Sequence, residues 1–110
     1  MYHIKSRIWI EGTKGVFLGE GRIKILKTII KEGSLSKAAK SLGMSYKKAW
    51  NLVNSINKNA QFPVVVTNTG GHGGGSTIVT EYGMKMISSF EKINENCWKF
   101  LDQQLKEHPL

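Results

Sequence analysis

The chain has 110 residues, with 16 Lys or Arg against 8 Asp or Glu, a formal net charge of +8 and a single cysteine. That length supports one hydrophobic core but is short for an enzyme with an enclosed pocket, and one cysteine excludes an intrachain disulfide. No apolar run approaches the roughly 20 residues of a transmembrane helix and the N-terminus MYHIKSRIW lacks the apolar centre of a secretory signal, so a cytoplasmic protein without a membrane partner is expected.

Ile4, Ser6, Ile8 and Ile10 alternate with His3, Lys5, Arg7, Trp9 and Glu11, the period of a strand with one covered face. GTKG at 12–15 reverses the chain, and Val16, Phe17 and Leu18 supply the returning strand of an N-terminal hairpin over 1–18. Trp9 falls on the polar side of that hairpin, where an aromatic ring covers a partner or packs on a neighbouring element. A first helix is expected over 20–32, with Ile23, Leu26, Ile29 and Ile30 on one face and Gly33 as its terminator.

The span 34–59 reads as two capped helices joined by a very short turn. Ser34 caps a helix whose apolar members Leu35, Ala38, Ala39 and Leu42 recur at helical spacing, and Ser45 caps the next. Only Gly43 and Met44 lie between Leu42 and Ser45, and a turn this tight sets the second helix across the first, as in a helix-turn-helix. At about 100° per residue, Ala49, Leu52, Val53 and Ile56 share one arc, the core face. Lys47, Asn51, Asn54 and Lys58 share the opposite arc, with Tyr46 and Lys48 flanking its N-terminal end. Amides pair with adenine edges and amines with guanine or phosphate, so this face has the chemistry to read a duplex.

Phe62-Pro63-Val64-Val65-Val66-Thr67 is an extended segment, because Pro63 disfavours helix before it and the valines favour strand. TGGHGGGST at 69–77 and Ile78-Val79-Thr80 complete a glycine-tipped hairpin over 62–80, which after a helix-turn-helix is a wing. Gly71, Gly73 and Gly74 would let backbone N–H groups approach phosphates, and His72 would add a donor or a charge. A nucleotide-binding P-loop is not expected, since no GK[ST] follows the glycines and the segment runs from strand to strand.

Thr80 caps a last helix over 81–106, along which Met86, Ile87, Phe90, Ile93, Cys97, Phe100, Leu101 and Leu105 recur at three- and four-residue spacing. The stripe is longer than a three-helix core can cover, so either a second copy of the helix buries it or the helix folds against its own N-terminal hairpin. The charge is uneven along the chain: residues 1–60 hold 12 basic and 3 acidic side chains, +9, and residues 61–110 hold 4 and 5, −1. The positive half carries the helix-turn-helix, which points to a polyanionic partner. His3, His72 and His108 are far apart and Asp102 is the only aspartate, so no metal, cofactor or catalytic constellation is expected.

Gly33-Ser34, Ala38-Ala39, Met44-Ser45-Tyr46-Lys47, Ala49-Trp50, Thr69-Gly70-Gly71, Gly73-Gly74-Gly75, and Thr80 with Gly83 occur together along the chain. On these residues the stretch from Gly19 to Tyr82 resembles the DNA-binding domain of the molybdate-responsive regulator family ModE, a branch similar to the LysR-type winged helix-turn-helix. The resemblance implies a bacterial or archaeal regulator that dimerises through helices outside the wing, with Ser45, Tyr46 and Lys47 near the DNA and the glycine loop near phosphates. It does not reach the oxyanion-binding domains that follow this domain in ModE, so molybdate sensing by this chain is not expected. The family often has lysine where His72 stands.

The expected fold is mainly α with small β-hairpins, a single winged helix-turn-helix domain over 1–110 with a long C-terminal dimerisation helix. The expected partner is duplex DNA, with the protein a dimeric transcriptional regulator of unknown effector and no enzymatic activity. Expected DNA contacts are Ser34, Ser45, Tyr46, Lys47, Lys48, Asn51, Asn54, Lys58, Gly71, His72, Gly73 and Gly74. Expected dimer contacts are Met86, Phe90, Ile93, Cys97, Phe100 and Leu101. The alternatives are a small oxyanion-binding or molybdenum-handling protein using the glycine loop as an anion nest, and a protein-docking adaptor.

Overall fold

A computed structural model of the chain describes residues 1–68 and 76–110. Among these, four helices and two antiparallel hairpins form a small mixed α/β structure. Strands β1 (Trp9–Gly12) and β2 (Gly15–Gly19) turn through Thr13 and Lys14. Their register slips between Ile10 and Glu11, whose partners are Leu18 and Val16, so Phe17 is the extra residue of a bulge. The bulge lets consecutive residues serve one core: Leu18 is buried and Phe17 packs against it.

Residues 1–8 depart from expectation. Their alternation holds, with Ile4, Ser6 and Ile8 half-buried between exposed neighbours, but they form no strand, because β2 is only long enough to pair from Trp9 onward. The covered side meets the last helix instead, where Ser6 Oγ lies 4.0 Å from Cys97 Sγ.

Helix α1 (Glu20–Glu32) buries Ile23, Ile25, Leu26 and Ile29. This arc is wider than the expected face because α1 touches β2, α2, α3 and β4 together. Ile25 is thereby enclosed, whereas Ile30, in the last turn, stays exposed beside Ile78 and Met84. Helices α2 (Leu35–Ser41) and α3 (Tyr46–Asn59) are joined through Gly43, whose φ of +66° is a left-handed conformation that side chains resist. Ser34 Oγ accepts from Lys37 N at 3.1 Å and Ser45 Oγ from Lys48 N at 3.1 Å, each satisfying a first-turn N–H that has no partner within its helix.

Strands β3 (Val65–Asn68) and β4 (Ser76–Val79) pair Val65 with Val79 through Asn68 with Ser76. The tip expected between them, which holds Gly71, His72, Gly73 and Gly74, lies outside the described residues. Each strand has its own anchor. Asn57 Oδ1 accepts from Val64 N at 2.8 Å and Val65 N at 3.0 Å, while Asn57 Nδ2 donates to Val65 O at 2.8 Å. On the other strand, buried Thr77 donates its N–H to Gly33 O at 3.1 Å and accepts from Leu35 N on its hydroxyl at 3.0 Å.

Removing the first anchor leaves two strand N–H groups with no acceptor, at roughly 1–3 kcal/mol for each group that stays buried. Asn57→Ala is therefore expected to lower the unfolding free energy by about 2 kcal/mol, measured in urea. A change below about 0.5 kcal/mol, the usual surface value, would mean water replaces the amide.

Helix α4 (Glu81–Glu107) starts at Thr80, whose hydroxyl accepts from Gly83 N at 3.0 Å and donates to Pro63 O at 2.7 Å. Gly83, Ile87 and Phe90, its buried residues, all lie in the first three turns. An ion pair from Lys27 to Glu91 fastens this part to α1. Beyond Phe90 the helix runs on with exposed or half-buried side chains only.

Candidate nucleic-acid interface

The charged and amide side chains of α3 stand where its helical period directs them. Ala49, Val53 and Ile56 are buried and Leu52 packs against the core, which leaves Lys47, Asn51, Asn54 and Lys58 exposed on the opposite side. Ser45, Lys48 and Asn51 meet around an open depression between α3 and α1. Tyr46 and Trp50, 54% and 49% exposed, border a second hollow with Lys47 on the other flank. Lys58 sits in the last turn, where the helix dipole favours a cation whether or not DNA is near.

Ser34 does not join this group. It lies at the start of α2, between Gly33 and Leu35, which bond β4, so its surroundings are those of the second hairpin.

Arg22 escaped the sequence reading. It projects from α1 into the depression, and its Nη1 donates to Ser55 Oγ at 3.0 Å. Partial burial lowers its pKa from the ordinary value by penalising the charged form, but a guanidinium keeps its proton throughout the physiological range. Nothing in local periodicity marks Arg22, because its partner is 33 positions away. The signal that would have found the face is a compositional gap: no Asp or Glu occurs between Glu32 and Glu81. The whole stretch containing α2, α3, β3 and β4 is free of carboxylates, so its lysines have no local counter-charge.

The expected dimer residues divide. Phe90 is only 2% exposed within the single chain, where it belongs to the core. Met86 is half-buried against the same core. Cys97 and Leu101 are half-buried, Cys97 facing Ser6 of the N-terminal segment. Ile93 and Phe100 are 50% and 62% exposed and share one edge of the helix, seven residues apart. Trp98, not expected to take part, is also exposed.

Among the described residues, no group of three or more His, Cys, Asp or Glu could hold a metal ion, and no helix is long and apolar enough to cross a membrane.

No family model matches the chain. Individual proteins do. It is 37% identical over 87 residues to the DNA-binding transcriptional dual regulator ModE of Escherichia coli (strain K12), an overlap covering 79% of this chain and 33% of that protein. Identity to the molybdenum transport protein ModE of Azotobacter vinelandii is 34% over 98 residues, 89% of this chain and 36% of the relative. With the molybdenum-pterin-binding protein MopB of Rhodobacter capsulatus it is 37% over 87 residues, 79% of this chain and 32% of the relative. The chain spans about a third of the length of these curated relatives. By sequence, then, the chain is related to ModE- and Mop-named proteins over most of its own length.

Proposed function

We propose that the chain is a winged helix-turn-helix that binds duplex DNA sequence-specifically as a dimeric transcriptional regulator and has no enzymatic activity. In this reading α3 enters the major groove and the β3–β4 hairpin is the wing, its glycine tip near phosphates. One observation carries the proposal: the exposed side of α3 bears Lys47, Asn51, Asn54 and Lys58 within a stretch that has no carboxylate. Phosphates give such a surface its affinity and amides give it base preference. The Escherichia coli relative, named as a DNA-binding transcriptional regulator, supports the same reading. Selection from random duplexes tests it: an enriched inverted repeat is expected, and recovery of unenriched sequence would refute specific recognition.

The Mop relatives, named for molybdenum-pterin binding, favour a second reading in which the chain handles a molybdenum oxyanion. Titration with molybdate, tungstate, sulfate and phosphate separates the two, since micromolar affinity without DNA would favour the second.

Dimerisation is proposed through the distal half of α4, supported by the exposed edge of Ile93 and Phe100 on a helix that runs on to Glu107, well past its last buried residue, Phe90. A charge at Phe100 would be desolvated without a partner at such an interface. Phe100→Glu is therefore expected to weaken self-association at least tenfold in sedimentation while leaving helix content unchanged, each tenfold step being about 1.4 kcal/mol. Monomeric wild-type protein at tens of micromolar would end the proposal.

A further inference from the structure

A second element contributes to the basic surface. Arg22 leaves α1 and reaches the depression bordered by Ser45, Lys48, Asn51 and Ser55 of α3 and its cap. Its guanidinium is partly buried, and among the described residues no carboxylate lies within ion-pair distance of it. The neutral Ser55 hydroxyl holds one nitrogen, at 3.0 Å, and the guanidinium, which lines the depression, has no other hydrogen-bond partner among the described residues. Lys47 and Lys48 add further cations at the rim, and Ser45 and Asn51 add polar groups. A guanidinium held in place without a counter-ion, beside further cations, has the chemistry of an oxyanion site, because planar donors match two oxygens of a phosphate at once.

We propose that this depression between α1 and α3 binds phosphate oxygens of the duplex backbone, with Arg22 as the principal donor, so that α1 sets the depth and tilt at which α3 meets the groove. The assignment rests on DNA binding by α3 and adds to it a named contact from another helix. A phosphate held here by α1 is contacted independently of base sequence, so it positions the protein without specifying a site.

The test uses the full chain with a labelled random-sequence duplex and a selected one, fluorescence anisotropy being recorded over a series of salt concentrations. Arg22→Ala is expected to lower the slope of log affinity against log salt by about 0.9, the value for one phosphate contact. Affinity for both duplexes should fall by a similar factor, roughly tenfold at 0.1 M salt on the same relation. Arg22→Lys should restore the slope but only part of the affinity, since an ammonium replaces the charge and not the fork. This conservative variant also guards against misfolding in the alanine variant. An unchanged slope and affinity in Arg22→Ala, with the wild type binding normally, would overturn the Arg22 site and leave DNA binding by α3 standing. Failure of the wild type to bind any duplex would overturn both. Inorganic phosphate distinguishes the source of the oxygens: saturable, Arg22-dependent binding of the free ion at micromolar concentration would make this a small-anion site and overturn the backbone assignment.

Discussion

Gly83→Ala is expected to destabilise the protein by about 2 kcal/mol, even though alanine is the better helix former by about 1 kcal/mol. A Cβ at this position would lie 2.5 Å from the carbonyl oxygen of Val64 and 2.7 Å from Val79 Cγ1. That carbonyl cannot easily retreat, since it accepts the Thr80 N–H at 2.8 Å and is 3.2 Å from the Thr80 hydroxyl. Overpacking against backbone therefore outweighs the propensity gain. For a domain of this size, such a loss lowers the melting temperature by roughly 10 °C. Gly21 is the control. It is also helical, but nothing lies within 4 Å of a Cβ built on it, so Gly21→Ala should be neutral or slightly stabilising. Equal melting temperatures for wild type and Gly83→Ala would show that α4 can slide away from Val64 and β4 at little cost.

The largest expected effect on binding comes from the first turn of α3. Replacing Lys47 and Lys48 together with alanine should reduce affinity for every duplex about a hundredfold at 0.1 M salt and lower the salt slope by nearly two, if each neutralises one phosphate. Asn51→Ala should behave differently, relaxing preference at about one base pair for roughly 1–3 kcal/mol while leaving the slope unchanged. The contrast separates charge from readout. Wild-type affinity, slope and preference in both variants would remove this face of α3 from DNA binding.

The helices were legible because their ends and periods are local. Ser34, Ser45 and Thr80 each cap a helix with their own side chain, and Gly33 and Gly43 adopt left-handed conformations beyond α1 and α2. The four helices and two hairpins follow from such signals. What depended on distant partners was not legible. Residues 1–8 carry a strand's alternation but have α4 beside them where a strand would pair, and alternation cannot tell one apolar surface from another. Phe90 belongs to the same stripe as Phe100, yet one is core and the other exposed, because the period of a helix reveals its apolar side and not where its neighbours stop. Arg22 and Asn57 act through bonds to other elements, so neither leaves a trace in local pattern. Of the proposed DNA contacts, those on α3 followed directly from its projection, while the loop residues lie beyond what the structure describes.

The two hairpin anchors have a mechanical consequence. Asn57 ties β3 to the last turn of α3, and Thr77 ties β4 to the junction of α1 and α2, so the strands are bolted to different helices. A swivel of the hairpin base would break one set of bonds, so both sets hold the angle between it and α3. For a duplex bound as proposed, the protein would act as a fixed gauge, and the DNA would do the adapting. Bending and groove width then enter the energy at base pairs that no side chain touches, so stiff and pliant sequences with identical contacted bases would be bound unequally.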